Sequence, residues 1–140
     1  MHQRAKAREI ALQIIYQTEF ENFEEAAVEY TLSEFSADGE IKEFALIIIT
    51  GVRKNLTDID KYIEKTLVNW RIERISLIDK TLLRMGIFEI AMLKDITKNV
   101  TISEIIKLAK NYSDPDSYKF INGILDKFEK SGNIKTTLNK

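Results

Sequence analysis

Apolar residues recur along this chain at intervals of three and four, and no stretch sustains the alternation of a β-strand. The spacing predicts helices over roughly 3–19, 23–36, 40–55, 58–70, 76–93, 101–111 and 115–130. In the first helix Ala7, Ile10, Ala11, Ile14 and Ile15 form an apolar stripe, and in the last Ile121, Ile124, Leu125 and Phe128 do the same. The breaks between helices carry their own chemistry. Asp38-Gly39 separates the second helix from the third. Thr57 with Asp60, and Ser76 with Asp79, suit an N-cap and its third helical position. "VTISEI" predicts Thr101 as a cap, with Glu104 reaching back and Val100 stapling against Ile105. Asp114-Pro115 places proline at the tolerated first position of the last helix, and Gly132 is placed to end it. The expected fold is one all-α domain, a compact bundle of about seven helices. It should divide into two small bundles, residues 1–56 and 57–134, followed by a short tail.

At 140 residues the chain is long enough for one domain with a proper core. It contains no cysteine, which excludes a disulfide framework and thiolate metal sites. The longest apolar run, "FALIIITGV" from Phe44 to Val52, is far too short to span a bilayer, and no signal peptide is visible. A cytoplasmic protein with no membrane partner is the expectation. The formal net charge of −1 hides an asymmetry. Residues 1–8 carry +3, residues 9–43 carry −9, and residues 44–140 carry +5. A near-neutral protein can therefore still present a basic surface to a polyanion.

The side-chain inventory argues against catalysis. His2 is the sole histidine and lies at the terminus, so neither a histidine triad nor a histidine metal cluster can be assembled. The glycines at 39, 51, 86, 123 and 132 are too scattered for a phosphate loop. No catalytic residue, metal or cofactor is expected.

Binding has better support. On the first helix Tyr16 points roughly 160° away from the centre of the apolar stripe, beside Glu9 and Gln13. Arg4 and Arg8 flank the other margin and Lys6 lies across the polar face. Three basic residues can simply solubilise a terminal helix, but cations beside an outward ring also suit unpaired bases and their phosphates. The last helix repeats the combination. Phe120 falls roughly 80° off its stripe, among Asp116, Lys127 and the bare backbone of Gly123, with Lys119 adjacent. Glycine inside a helix costs about 0.8–1 kcal/mol relative to alanine. Either a neighbouring helix or an external ligand must come close at Gly123 to justify it. Asn122 suits a base edge or a buried backbone group.

"RAKAREIALQIIYQTE", "IDKTLLRMGIFEI" and "TISEIIKLAKNYSDPDSYKFINGILD" together resemble the NusB family of bacterial transcription factors over about residues 4–128. The resemblance implies an all-helical, non-catalytic protein of two packed bundles. It implies binding of the single-stranded boxA element of nascent RNA, together with a small-subunit ribosomal protein that acts as NusE. It also implies participation in the RNA polymerase complex that resists termination during ribosomal RNA synthesis. Arg4, Lys6, Arg8 and Tyr16 match the family's RNA surface, as do Lys119, Phe120 and Asn122, with Lys127 alongside. Glu73 and Asp79 match positions that contact the ribosomal protein, and Asp116 lies near the junction of RNA and partner. The N-terminal basic cluster is thinner here than in many relatives, being interrupted by Ala5 and Ala7. A related domain is fused to ribosomal RNA cytosine methyltransferases, but this length leaves no room for one, so a standalone factor is expected. The competing reading is a helical protein-interaction module without RNA binding, using an acidic face from Glu19 to Glu43. Self-association of the free chain is compatible with either.

Overall fold

The computed structural model describes residues 2–19, 25–35, 37–67 and 71–130. Among them, α-helices occupy α1 (His2–Thr18), α2 (Glu25–Glu34), α3 (Gly39–Lys54), α4 (Leu56–Thr66), α5 (Leu77–Met92), α6 (Lys98–Tyr112) and α7 (Ser117–Lys130). A short 3₁₀ turn, Ile72–Arg74, was not foreseen. The all-α expectation holds. Gly132 and the expected helical residues 23–24, 36 and 68–70 lie outside the described residues.

Three boundaries depart from expectation. At α4, Asn55 rather than Thr57 holds the N-cap position, and its side-chain amide donates to the Gly51 carbonyl at 2.8 Å. At α6 the cap is Thr97, whose hydroxyl accepts from the Val100 N–H at 3.3 Å, so the helix begins three residues early. Thr101 instead donates its hydroxyl to Glu89 at 3.1 Å. Glu104 turns to Arg8 and Lys107, and Val100 is exposed rather than stapled. A buried carboxylate needs donors more than a solvated helix end does, and Thr101 answers the stronger demand. Pro115 sits in a turn closed by the Ser117 N–H on the Asp114 carbonyl, and α7 follows it. The Ser76 cap forms as expected, accepting from the Asp79 N–H at 3.2 Å.

α5 is the axis of the structure, packing against α1, α3, α4, α6 and α7. It is buried almost all round, from Leu82 and Leu83 through Met85, Ile87, Phe88 and Ile90. Two glycines permit its close approaches. A Cβ at Gly51 of α3 would lie 2.1 Å from the ring of Phe88, and one at Gly86 would lie 2.8 Å from Leu125 of α7. α1 packs most extensively on α3, and its apolar stripe is fully inside. Leu12, which lies off that stripe, is buried as well, so α1 is covered on more sides than its periodicity indicates.

Two ionic ties, one buried and one partly buried, fasten α5 to its neighbours. The Arg8 guanidinium donates two 2.8 Å hydrogen bonds to the Glu89 carboxylate, and both residues are sealed from solvent. Arg84 donates two bonds of 2.9 Å to Asp60 of α4 and one of 2.6 Å to Glu19 just beyond α1. Burial alone would lower the Arg84 pKa, but hydrogen bonding and charge from Asp60 and then Glu19 outweigh it and leave the pKa raised. Glu19, expected at the edge of an acidic docking face, is therefore drawn into this tie.

Removing one partner of a buried pair strands the other charge, whereas replacing both with apolar groups can be nearly neutral. Glu89→Leu is expected to lower unfolding stability by about 3–5 kcal/mol, and Arg8→Met in the same chain to restore most of it. Urea denaturation of the single and double variants measures the coupling; additive losses would contradict it. Gly51→Ala is expected to cost about 1–3 kcal/mol through overpacking against Phe88. Phe88→Leu in that background should relieve part of the loss, and thermal unfolding of the pair checks this.

Candidate nucleic-acid interface

α6 forms a ridge between two open grooves. On one side, Arg4 and Arg8 of α1 face Asn99, Ser103, Glu104 and Lys107 across a space of about 780 Å³. On the other, Asn99, Ser103, Lys107 and Lys110 face Tyr118 and Asn122 of α7 across about 420 Å³. The antiparallel run of α6 and α7 follows from their short turn and is held at the far end by Lys98 and Glu129, 3.7 Å apart.

The basic residues of α1 divide by exposure. Arg4 and Lys6 are about half exposed and form loose pairs with Asp95 and Glu9, both at 3.8 Å. Ion pairs this open contribute about 0–1 kcal/mol, so both cations are available to a phosphate. Arg8 is not. It is 2 % exposed, committed to Glu89, and lies with Arg4 over the Phe44 ring, their guanidinium carbons 5.2 and 4.9 Å from its centre. The expectation that Arg8 stands on an outward basic track is corrected: the guanidinium is buried, and its bonds to Glu89 offset the cost of desolvating it. Ala7 is core, so it does not interrupt an exposed cluster.

Tyr16 is partly exposed, as the wheel predicts. One and two turns earlier, Gln13 and Glu9 hydrogen-bond the hydroxyl of Tyr112, at the end of α6. Burial, and then the Glu9 carboxylate, push that hydroxyl above the ordinary tyrosine range.

α7 presents two different faces. Tyr118, Asn122 and Glu129 look towards α6, and the ammonium groups of Lys110 and Lys119 lie 4.7 and 5.9 Å from the Tyr118 ring centre. Phe120 is two residues from both Tyr118 and Asn122, hence about 160–200° round the helix, on the opposite margin. It rests half-buried against the core, with Lys127 on its own face. Asn122 therefore does not share the Phe120 surface, contrary to their grouping in the sequence. Lys119 is exposed and pairs loosely with Asp116 at 3.9 Å; Lys127 is exposed and has no ion-pair partner among the described residues.

The acids expected to meet a protein partner also divide. Glu73, in the 3₁₀ turn, and Asp116, before α7, are exposed. Asp79 is buried and accepts a short hydrogen bond from the Ser113 hydroxyl. Its expected role as a contact is corrected. It ties the start of α5 to the end of α6, and so steadies the turn that carries Asp116.

Sequence reasoning missed Lys107, Lys110, Tyr112 and Tyr118. Lys107 and Lys110 stand on the polar face of α6, a signal open to inspection, but only the packing of α7 along α6 brings Tyr118 beneath Lys110.

The same architecture recurs in known proteins. The transcription antitermination protein NusB of Acetivibrio thermocellus is 41% identical over 128 residues, covering 91% of this chain and 88% of that protein. That of Bacillus cereus is 39% identical over 137 residues, covering 96% and 98%. The solved structure of NusB from T. maritima superimposes with a TM-score of 0.81 at 37% identity, over 91% of this chain and 90% of that one. Antitermination factors NusB and NusE in complex with double-stranded RNA include a chain matched with a TM-score of 0.84 at 26% identity, over 94% and 98%. A profile described as the NusB family matches residues 5–130, and with relatives of 39–41% identity over most of both chains and a superimposable fold, this chain belongs to the NusB family.

Proposed function

We propose that this chain is a non-catalytic transcription antitermination factor that binds boxA-type single-stranded RNA jointly with the small-subunit ribosomal protein acting as NusE. In this reading the pair joins the RNA polymerase complex that resists termination during ribosomal RNA synthesis. The observation that carries the reading is the pairing of rings and cations on the outer helices. Phe120 lies at a helix margin with Lys127 on its face, and Tyr118 lies beneath Lys110 and Lys119. Bases stack on aromatic faces while ammonium groups meet phosphates, and neither contact demands a particular base. The solved relative that holds NusE and double-stranded RNA supports RNA and a NusE-type protein as the partners, while the preference for a single strand rests on the partly exposed rings.

The roles follow from exposure. Arg4, Lys6, Lys119 and Lys127 contact phosphates; Tyr16 and Phe120 offer stacking surfaces; Asn122 offers an amide in the groove between α6 and α7. Arg8 acts by positioning α1 on α5 rather than by touching RNA. Glu73 and Asp116 are the exposed acids assigned to the ribosomal protein, and Asp79 positions the turn that bears Asp116.

Phe120→Ala is expected to weaken RNA binding by about 1–3 kcal/mol, the worth of one stacked base, while Phe120→Trp retains it. Anisotropy titration of a labelled boxA-type RNA, with and without the ribosomal protein, reads the effect, and the same RNA annealed to its complement should bind less well. Lys127→Ala should lower the slope of log affinity against log salt by about 0.7. An unchanged slope would remove Lys127 from the phosphate contacts. Glu73→Lys with Asp116→Lys is expected to reduce capture of the ribosomal protein at least tenfold without lowering the unfolding midpoint. Normal capture in a pull-down would refute their assignment.

A further inference from the structure

We infer that Gly123 is a contact point for nucleic acid, where the bare backbone of α7 lets an unpaired base lie directly on the helix beside Phe120, with Lys119 and Lys127 at the flanking phosphates. The inference rests on the RNA-binding reading above and names the place where the strand comes closest.

Gly51 and Gly86 are explained from within, since Phe88 and Leu125 fill the space a side chain would need. Gly123 is not. It is exposed in mid-helix, and apart from its chain neighbours and the local helix backbone no described atom lies within 4 Å of where its Cβ would be. Among the described residues Gly39 is the positive-φ glycine, so backbone conformation does not demand glycine at 123 either. A position that weakens its own helix and meets no internal neighbour points outward for its reason.

The surroundings say what arrives there. In a helix the neighbours of position 123 are the residues three and four away. These are Lys119, Phe120, Asp126 and Lys127. Asp126 is paired with Lys130 at 3.1 Å, Lys119 has loose contacts with Asp116 and the Tyr118 ring, and Lys127 has no ion-pair partner among the described residues. The patch therefore offers one ring, one strip of uncovered backbone and two available cations. A protein helix docking at a glycine would need an apolar surface around it, and Phe120 is the one apolar side chain among these four neighbours. A nucleotide fits better, because its flat face covers the ring and backbone while its phosphates meet the lysines. An added side chain at 123 would hold that face off the helix.

The test uses the full chain with Gly123→Ala and Gly123→Leu. Anisotropy titration of a labelled boxA-type single strand is run with and without the ribosomal protein, alongside urea denaturation. Gly123→Ala should unfold at higher urea than the parent, because alanine is the better helix former, and yet bind RNA at least tenfold more weakly. Gly123→Leu should bind more weakly still. A parent chain that binds no RNA would refute the underlying reading. A parent that binds, with Gly123→Ala equal to it, would overturn the role of Gly123 alone. Unchanged RNA affinity with lost capture of the ribosomal protein would overturn it in favour of a protein contact. A less stable Gly123→Ala would show an internal cause for the glycine and overturn it also.

Discussion

The bidentate pair between Arg8 and Glu89 governs how the rest of the molecule is arranged. A guanidinium and a carboxylate taken out of water tolerate little movement, because each loses its main compensation if the other shifts. Their bond fixes α1 against α5, and Thr101 and Glu104 bring α6 to the same point. Arg84 does the equivalent near the other end of α1 by gathering Asp60 and Glu19. Between these ties the apolar faces supply most of the driving force, and the charged groups set the register in which they meet.

That register makes the outer surface. With α6 held beside the start of α1, the exposed Arg4 and Lys107 look across one groove, and Lys110 looks across the next at Tyr118. The bond from Ser113 to Asp79 ends α6 at a defined place and starts the turn from which α7 runs back. Phe120, Gly123 and Lys127 then occupy the margin of α7 turned away from α6. The candidate surface is thus spread over faces of separate helices, which suits an extended strand better than a small molecule.

Helical periodicity alone located the helices well, since an apolar residue every third or fourth position has few other ways to be buried. The boundaries were less legible. Thr57, Thr101 and Glu104 have the chemistry of caps, but the demands of Arg8 and Glu89 in three dimensions took Thr101 and Glu104 for other work. The same limit applied to the site. Tyr16, Phe120, Lys6 and Lys127 lie on outer faces, as a helical wheel places them, whereas Arg8 and Asp79 were indistinguishable in sequence from their exposed counterparts. A wheel sees one helix and is blind to the neighbour that covers its margin.

The sequence by itself determined the helical class, the approximate helices, the core stripes of α1 and α7, and the resemblance that named the family. These depend on spacing along one element, which the chain carries directly. Only the tertiary structure decided which charges are structural and which are free, which residues share a face, and that Gly123 has no internal neighbour. Those are properties of contacts between residues as far apart as Arg8 and Glu89, and local spacing holds no record of them.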